Sequence, residues 1–470
     1  MIKTIKKNIN IVILVLLTAL LFIGFFANKK NSYSKKNEIK NLSKQLNIRN
    51  TQIAKIQKNL LQNGRNINEL INKKNINFKK VFENLKLNEI VDKNYFLKEK
   101  KNNLLNQYLI SKFSTNDILF NGNNKAVGTA YIDFFNDDQS LLLTTYDGVF
   151  AFSNLKNIEN FNKIKSNIDN FVNYEEFYFD SQYGIKDIFI NEDIIYVSLI
   201  YEEKKQCYGL KILSAQLNID FLNFKEFFQT SNCVKKNNSH GFWAHQGAGG
   251  RIILSDGDNI LFSTGEFRNR PIAQDIDSDF GKIIQVNLKS KKKQIVSIGH
   301  RNPQGLFYSK KHNFIISTEH GPKGGDEINL NHKPFDKIKN FGWPIASYGE
   351  HYHKNYSEKI LKDAPLNKNH NKFGFIEPIK YFNPSIGISE VKSISKNDDT
   401  FLVGAMGNEI KDKDLGLHLI ELDKKFKKIK NSVYLPINER VRDIVVSKNK
   451  DIIILFLETT SSLLIVKKIK

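Results

Sequence analysis

Residues 391–405 read V-K-S-I-S-K-N-D-D-T-F-L-V-G-A: an apolar run, a polar turn at Asn397, Asp398 and Asp399, then a second apolar run. Alternation at period two sets one face of each run toward a core. Asn and Asp tolerate the left-handed backbone that joins hairpin strands. The same unit recurs at 132–146, 188–199, 252–264, 306–318 and 444–456, with turns such as Asn136-Asp137-Asp138 and Asp256-Gly257-Asp258. Six hairpins in the last three-quarters of the chain predict an all-β fold built by radial repetition, a six-bladed β-propeller over residues 115–470. The final apolar run, 463–469, is expected to pair with an early strand near 126–132 and close the ring.

Upstream of the ring the pattern changes twice. Residues 1–10 carry Lys3, Lys6 and Lys7, and residues 11–27 are apolar without a charge. That run is longer than most signal-peptide cores and no small-x-small cleavage site follows it, so it reads as an uncleaved transmembrane signal anchor, with a cleaved signal peptide as the alternative. Lys29, Lys30, Lys35 and Lys36 follow the run, and a positive-inside count does not favour export of what comes next. Residues 35–110 are polar, lack proline and carry two heptad seams. One seam is Ile39, Leu46, Ile53, Leu60, Ile67; the other is Leu42, Arg49, Ile56, Asn63, Leu70. This predicts a helical, coiled-coil-like stalk that self-associates, with further helix from Phe78 to Tyr108. A single amphipathic helix lying on a membrane is the other reading of that pattern.

The chain has 470 residues and a formal net charge of +22. Lysine is spread along its whole length, with no zinc-finger spacing, arginine cluster or RNA-binding aromatic run. That distribution describes a basic surface rather than a nucleic-acid site. Cys207 and Cys233 are the two cysteines, and without a C-x-x-C they do not form a structural zinc site or redox pair. They are either free thiols or one disulfide, and the N-terminal export signal argues for the disulfide.

The spacing of hairpins stretches between the fourth and fifth, where residues 319–385 are inserted. Around this insertion the sequence is dense in groups that rarely serve a core. G-H-R-N-P-Q-G-L begins at Gly299, and E-H-G-P-K-G-G-D-E-I-N begins at Glu319. F-G-W-P and S-Y-G follow. Glycine and proline at this density set unusual backbone and let it approach a ligand closely. Together the two long motifs resemble the glucose/sorbosone dehydrogenase family, soluble sugar dehydrogenases that use pyrroloquinoline quinone (PQQ). The resemblance is strong over about 240–460 and weak over 115–240.

The resemblance implies a role for particular residues. Arg301, Asn302 and Gln304 from one loop, and Arg440 and Arg442 from R-V-R-D, would hold the quinone carboxylates. Arginine suits planar carboxylates through paired hydrogen bonds, and alternation sets Arg440 and Arg442 on one face of a strand. Gly321 and Pro322 would present carbonyls to a calcium ion bound with the quinone. Asp326 and Glu327 would support that ion or cap a turn. His245, in A-H-Q-G-A-G-G-R, is the expected base for the sugar hydroxyl, oriented by Glu266; His240 is a rival. The chain carries two extra residues before Arg251 relative to the family motif. Trp343, Tyr348 and His351 would line a sugar pocket. One departure stands out: the family places a lysine near the quinone where this chain has Gly407, leaving Lys411 or Lys413 as substitutes.

The expected function is membrane-anchored, PQQ-dependent oxidation of a sugar or related alcohol or aldehyde, with hydride passing to PQQ held by calcium. The propeller would then lie in the periplasm or another extracytoplasmic space, with a small sugar or alcohol as partner, the membrane as anchor, possible self-association through the stalk, and no nucleic acid. The alternative is a non-catalytic propeller that binds a glycan or a cell-envelope partner.

Overall fold

The computed structural model describes residues 85–86, 88–89, 108–114, 129–146, 148–172, 177, 183–242, 247–353 and 355–468. Within them the six hairpins become the inner halves of six antiparallel sheets. The innermost strands are Ala130–Phe135, Ile185–Asn191, Gly249–Leu254, Pro303–Ser309, Ile388–Ser393 and Val441–Val446. Each packs beside the next in that order, and Val441–Val446 packs beside Ala130–Phe135, so the ring is closed. We number the blades one to six from Ala130–Phe135. The turns behave as their composition requires: Asn136, Asp137 and Asp138 have φ of +54°, +50° and +60°, and Asp398 has +52°.

The core is six cores, one between each pair of neighbouring blades. In Ile452–Leu457 of blade six, Ile454 and Phe456 pack with Leu141 and Leu143 of blade one. Ile453, Leu455 and Leu457 pack with Leu402 and Leu417 of blade five. A strand buried on both faces reads as a continuous apolar run, and I-I-I-L-F-L is one.

Closure differs from expectation. Ser462–Lys468 pairs antiparallel with Tyr108–Ser114, with Phe113 opposite Leu463 and Ser111 opposite Ile465. The stretch near 126–132 instead supplies the inner strand of blade one. The closing strand therefore comes from the end of the segment expected to be stalk helix. Leu85–Lys86 and Asn88–Glu89 are also strands, pairing with Asn160–Phe161 and Phe113–Ser114. Tyr108–Ser114 is rich in aromatic and aliphatic residues suited to a pleated surface, and an unpaired edge on Ser462–Lys468 selects it over helix. The apolar run 11–27 and the heptad seams lie outside the described residues. Among the described residues no helix is long and apolar enough to cross a membrane.

The insertion after blade four leaves the third strand, Asp326–His332, carries the short helix Glu358–Asp363, and returns as the outer strand Lys380–Phe382. Cys207 and Cys233 are bonded to each other at a separation of 26 residues within blade two. In the chain-entropy account a loop of that length contributes about 3 kcal/mol. Replacing both cysteines by serine is expected to lower unfolding free energy by about that amount, read as a fall in the denaturant midpoint with a slope equal to or steeper than the parent's, because the unfolded chain expands.

Candidate functional site

All six inner strands start at the same end of the ring. In five of them the register slips near that start: at Ile185/Asp187, Gly249/Ile252, Pro303/Gly305, Ile388/Val391 and Val441/Asp443. A bulge breaks strict alternation, so consecutive residues can both serve the axis. In this way one strand supplies Lys186 and Asp187, another Arg442 and Asp443.

The deeper tier centres on Arg251 of blade three. Its Nη1 lies 2.6 Å from Asp187 of blade two, 2.6 Å from Glu390 of blade five and 3.0 Å from Asp443 of blade six. Its Nε donates to the Gln304 carbonyl of blade four at 3.0 Å. Its guanidinium carbon lies 5.8 Å from the Tyr131 ring of blade one. One side chain thus touches every other blade. The glycines before it, Gly249 and Gly250, take φ of +68° and +109°, and a Cβ on Gly250 would overlap the Lys186 side chain. Burial pushes Asp187 and Glu390 upward against the pull of Arg251. Burial, with Asp443 adding to it, raises Asp133 to about 7 against its backbone hydrogen bonds and Lys392. A cavity of about 250 Å³ runs beside this tier, lined by Asp133, Asp187, Lys392 and Asp443 among others.

The shallower tier holds most of the residues expected to bind cofactor. Arg440 Nε donates to Glu458 Oε2 at 2.9 Å, and Arg442 Nε donates to Glu458 Oε1 at 2.7 Å. Burial would raise the Glu458 carboxyl, but the two arginines outweigh it and hold it at about 2. Arg442 Nη1 also reaches Gln304 Oε1 at 3.4 Å. Gln304 Nε2 donates to Asn302 Oδ1 at 2.9 Å, and that oxygen accepts Gly249 N–H at 3.0 Å. Arg301 turns elsewhere: its Nη1 donates to the His320 carbonyl at 2.9 Å, and its guanidinium carbon lies 5.5 Å from the Trp343 ring. Among the described residues it makes no ion pair.

Glu266 is fully buried, its N–H donates to the Arg301 carbonyl at 3.0 Å, and its Oε2 has no hydrogen-bond partner among the described residues. Burial raises its carboxyl to about 7, with Arg301 and Arg270 opposing. His245 lies outside the described residues. The backbone just after it is tied to the Glu266 segment, because Gly265 N–H donates to the Ala248 carbonyl at 2.6 Å and Phe267 N–H to the Gly247 carbonyl at 2.9 Å. His240 is buried, with Nε2 at 3.2 Å from Asp363 Oδ2 and Nδ1 without a partner among the described residues. Burial and Arg270 lower its pKa against Asp363, so it is neutral near pH 7.

The remaining predictions divide. Gly321 sits so close to the Gly325 backbone that no side chain fits, and its N–H donates to Asp326 Oδ1 at 3.0 Å. The Pro322 carbonyl accepts the Ser385 hydroxyl at 3.1 Å. Asp326 also accepts Ile388 N–H at 2.9 Å, so it caps the turn. Glu327 faces Glu319 across the strand pair and is pushed well up by burial and by that neighbour. Among the described residues no three His, Cys, Asp or Glu side chains are grouped to hold a metal. Trp343 is buried with Ala273, Ala364 and Leu366. Tyr348 donates to Glu377 Oε2 at 2.9 Å and stacks on the exposed Tyr381 ring at 3.9 Å. His351 lies 5.0 Å from the Tyr356 ring.

Position 407 takes no side chain: a Cβ there would overlap the Asp414 carboxylate. Neither proposed substitute reaches the axis. Lys411 is 76% exposed beside Glu409 at 3.6 Å, and Lys413 is exposed. Sequence reasoning missed Lys186, Glu458 and the three carboxylates around Arg251. A signal existed, because a charged or polar residue followed by an acid recurs near the start of three inner strands: Lys186-Asp187, Ser389-Glu390 and Arg442-Asp443.

Arg251→Met is expected to cost about 3–5 kcal/mol, since it leaves buried carboxylates without their cation; urea unfolding measures it. Glu458 contributes stability that is fully present above its ordinary pKa of 4.5 and is lost as pH falls through about 2. Glu458→Gln is expected to remove that limb of the acid-unfolding profile.

The glucose/sorbosone dehydrogenase family model matches residues 130–465. Aldose sugar dehydrogenase YliI of Escherichia coli is 33% identical over 197 residues, 37% of this chain and 48% of that protein. Quinoprotein glucose dehydrogenase B of Acinetobacter calcoaceticus is 30% identical over 130 residues, 23% of this chain and 26% of its own. The chain spans half or less of the length of these curated relatives. Among solved structures, the apo soluble aldose sugar dehydrogenase of Escherichia coli matches with a TM-score of 0.57 and 21% identity over 73% of this chain and 96% of that one. The PQQ-bound aldose sugar dehydrogenase of Streptomyces coelicolor matches with a TM-score of 0.51 and 16% identity, covering 76% and 98%. With the family model running from the inner strand of blade one into the closing strand of blade six, the chain belongs to the glucose/sorbosone dehydrogenase family.

Proposed function

We propose that the protein oxidises a sugar, or a related alcohol or aldehyde, with PQQ as hydride acceptor held beside calcium. One observation carries the reading: an excess of partly buried positive charge at one end of the ring. Arg440 and Arg442 share one carboxylate, Glu458. Lys186 stands beside Arg442, and the Arg301 guanidinium meets a carbonyl and the Trp343 ring with no ion-pair partner among the described residues. Cations gathered with too few carboxylates suit a planar, multiply carboxylated ligand. Asn302 and Gln304 add amides to the same wall. Calcium would take the Gly321 and Pro322 carbonyls, as a hard cation does.

When bound, the quinone supplies the two-electron acceptor. The residues of the chain do the rest. Arg440, Arg442 and Arg301 hold negative charge in place. The base, His245 in this reading, takes the hydroxyl proton on a ring nitrogen. Glu266, tied by its backbone to Arg301, stabilises the imidazolium as a buried carboxylate does. His240 has the features of a base too, with Asp363 on one nitrogen and the other unpartnered among the described residues. Trp343 forms an apolar wall beside Arg301. The reading extends to the N-terminus: residues 11–27 tether the ring to a membrane outside the cytoplasm, with self-association through the heptad region. The Cys207–Cys233 disulfide supports an oxidising compartment.

The test uses the full chain in mild detergent, titrated with calcium and PQQ and followed by melting and by dye reduction with aldoses and polyols. At about a hundred times its dissociation constant the cofactor stabilises by about 2.7 kcal/mol. His245→Ala is expected to lower turnover about 10²–10⁴-fold while cofactor stabilisation persists. His240→Ala is expected to leave turnover within a few-fold of the parent; the reverse ranking assigns the base to His240. No stabilisation at saturating calcium and PQQ refutes the quinone reading.

A further inference from the structure

The glycine at 407 leaves a charge unaccounted for, and a different blade carries a lysine with no carboxylate partner among the described residues. Lys186 is the second residue of the inner strand of blade two, inside the register slip at Ile185/Asp187. It is buried, with 6% of its surface exposed. Its Nζ lies 5.1 Å from the Tyr146 ring. Its aliphatic part lies over Gly250, where any Cβ would collide with it. Among the described residues it has no carboxylate within ion-pair distance.

The carboxylates nearest in the fold are committed. Asp187, the next residue, is held by Arg251, and Glu458 is held by Arg440 and Arg442. The dominant charge acting on Lys186 is that of Arg442, which has its own sign. Burial and then Arg442 both disfavour the ammonium, lowering its pKa to about 7. A buried ammonium beside a guanidinium, with no anion to offset it, is destabilising in the free protein. Such an arrangement is accounted for when an anion completes it.

We propose that Lys186 is the ammonium this chain presents to the cofactor, supplying from blade two the positive charge that position 407 cannot carry. The inference rests on the functional reading above. It names the recognised group by its chemistry, the negative charge of a carboxylated quinone. Position 407 is closed to a side chain by Asp414, whose carboxylate also accepts Asn408 N–H at 2.9 Å and Glu409 N–H at 2.8 Å. Arg440 fills the space beneath, with Nη1 donating to the carbonyls of Met406 and, at 3.2 Å, Gly407.

The test compares the full chain with Lys186→Met in two measurements: PQQ affinity in calcium by equilibrium dialysis, and the melting temperature of the cofactor-free protein. The expected result is binding weaker by about tenfold or more, with an apo melting temperature equal to or above that of the parent because an unpaired buried charge is gone. Binding within about twofold of the parent overturns the assignment. So does a lowered apo melting temperature, which marks Lys186 as structural. If the parent binds no PQQ, the functional reading fails and takes the assignment with it, an outcome distinct from a parent that binds while the variant binds equally well.

Discussion

Arg251 is the point on which the ring depends. Blades contact only their neighbours through the apolar cores between them, so a propeller is held together around its circumference. One guanidinium at the axis joins the blades across the diameter. It pairs with Asp187, Glu390 and Asp443, bonds the Gln304 carbonyl and lies over Tyr131. Three carboxylates buried together repel and are costly to desolvate. A single cation offsets them only if all the strands bring their acids to one depth. The network is therefore a statement about registration: if a blade slides along its neighbour, its acid leaves the guanidinium.

The bulges make the same strands serve two purposes. Regular alternation would alternate axis and wall and give each strand one axial residue per pair. The slipped register lets Asp443 bind Arg251 while Arg442, one residue earlier, binds Glu458 and Gln304. Structural acids lie below and cationic residues above. The floor of the candidate site is thus the roof of the tier that centres the ring, and the position of the arginines is inherited from the charge balance beneath them.

Much of the fold was legible because each blade repeats one local rule: two apolar runs about a turn of Asn, Asp or Gly. The six hairpins found in this way are the inner strands of the six blades. Closure was not legible, because Tyr108–Ser114 is a short segment next to a polar, heptad-patterned region. Its strand state is decided by a partner at the far end of the chain rather than by its own periodicity. The disulfide could be argued only from compartment. At the site, motif density located Arg301, Asn302, Gln304 and the two C-terminal arginines. It could not show that Glu458 couples that pair, nor that Tyr348 belongs to a stack with Tyr381. Lys186 escaped notice because in I-K-D-I-F-I it reads as the polar position of an alternating strand. Only the bulge reveals that it and Asp187 share the axis.

The pairing of Tyr108–Ser114 with Ser462–Lys468 also sets the order of events during synthesis. The segment that completes blade six leaves the ribosome before any inner strand of the ring, and its partner leaves after all of them. Until Ser462–Lys468 is made, that early segment lacks its long partner, and blade six lacks its outer strands. Closing so long a loop costs chain entropy that only the complete set of inter-blade cores offsets. Assembly is therefore expected to be late and concerted, with the ring held open until Ser462–Lys468 appears.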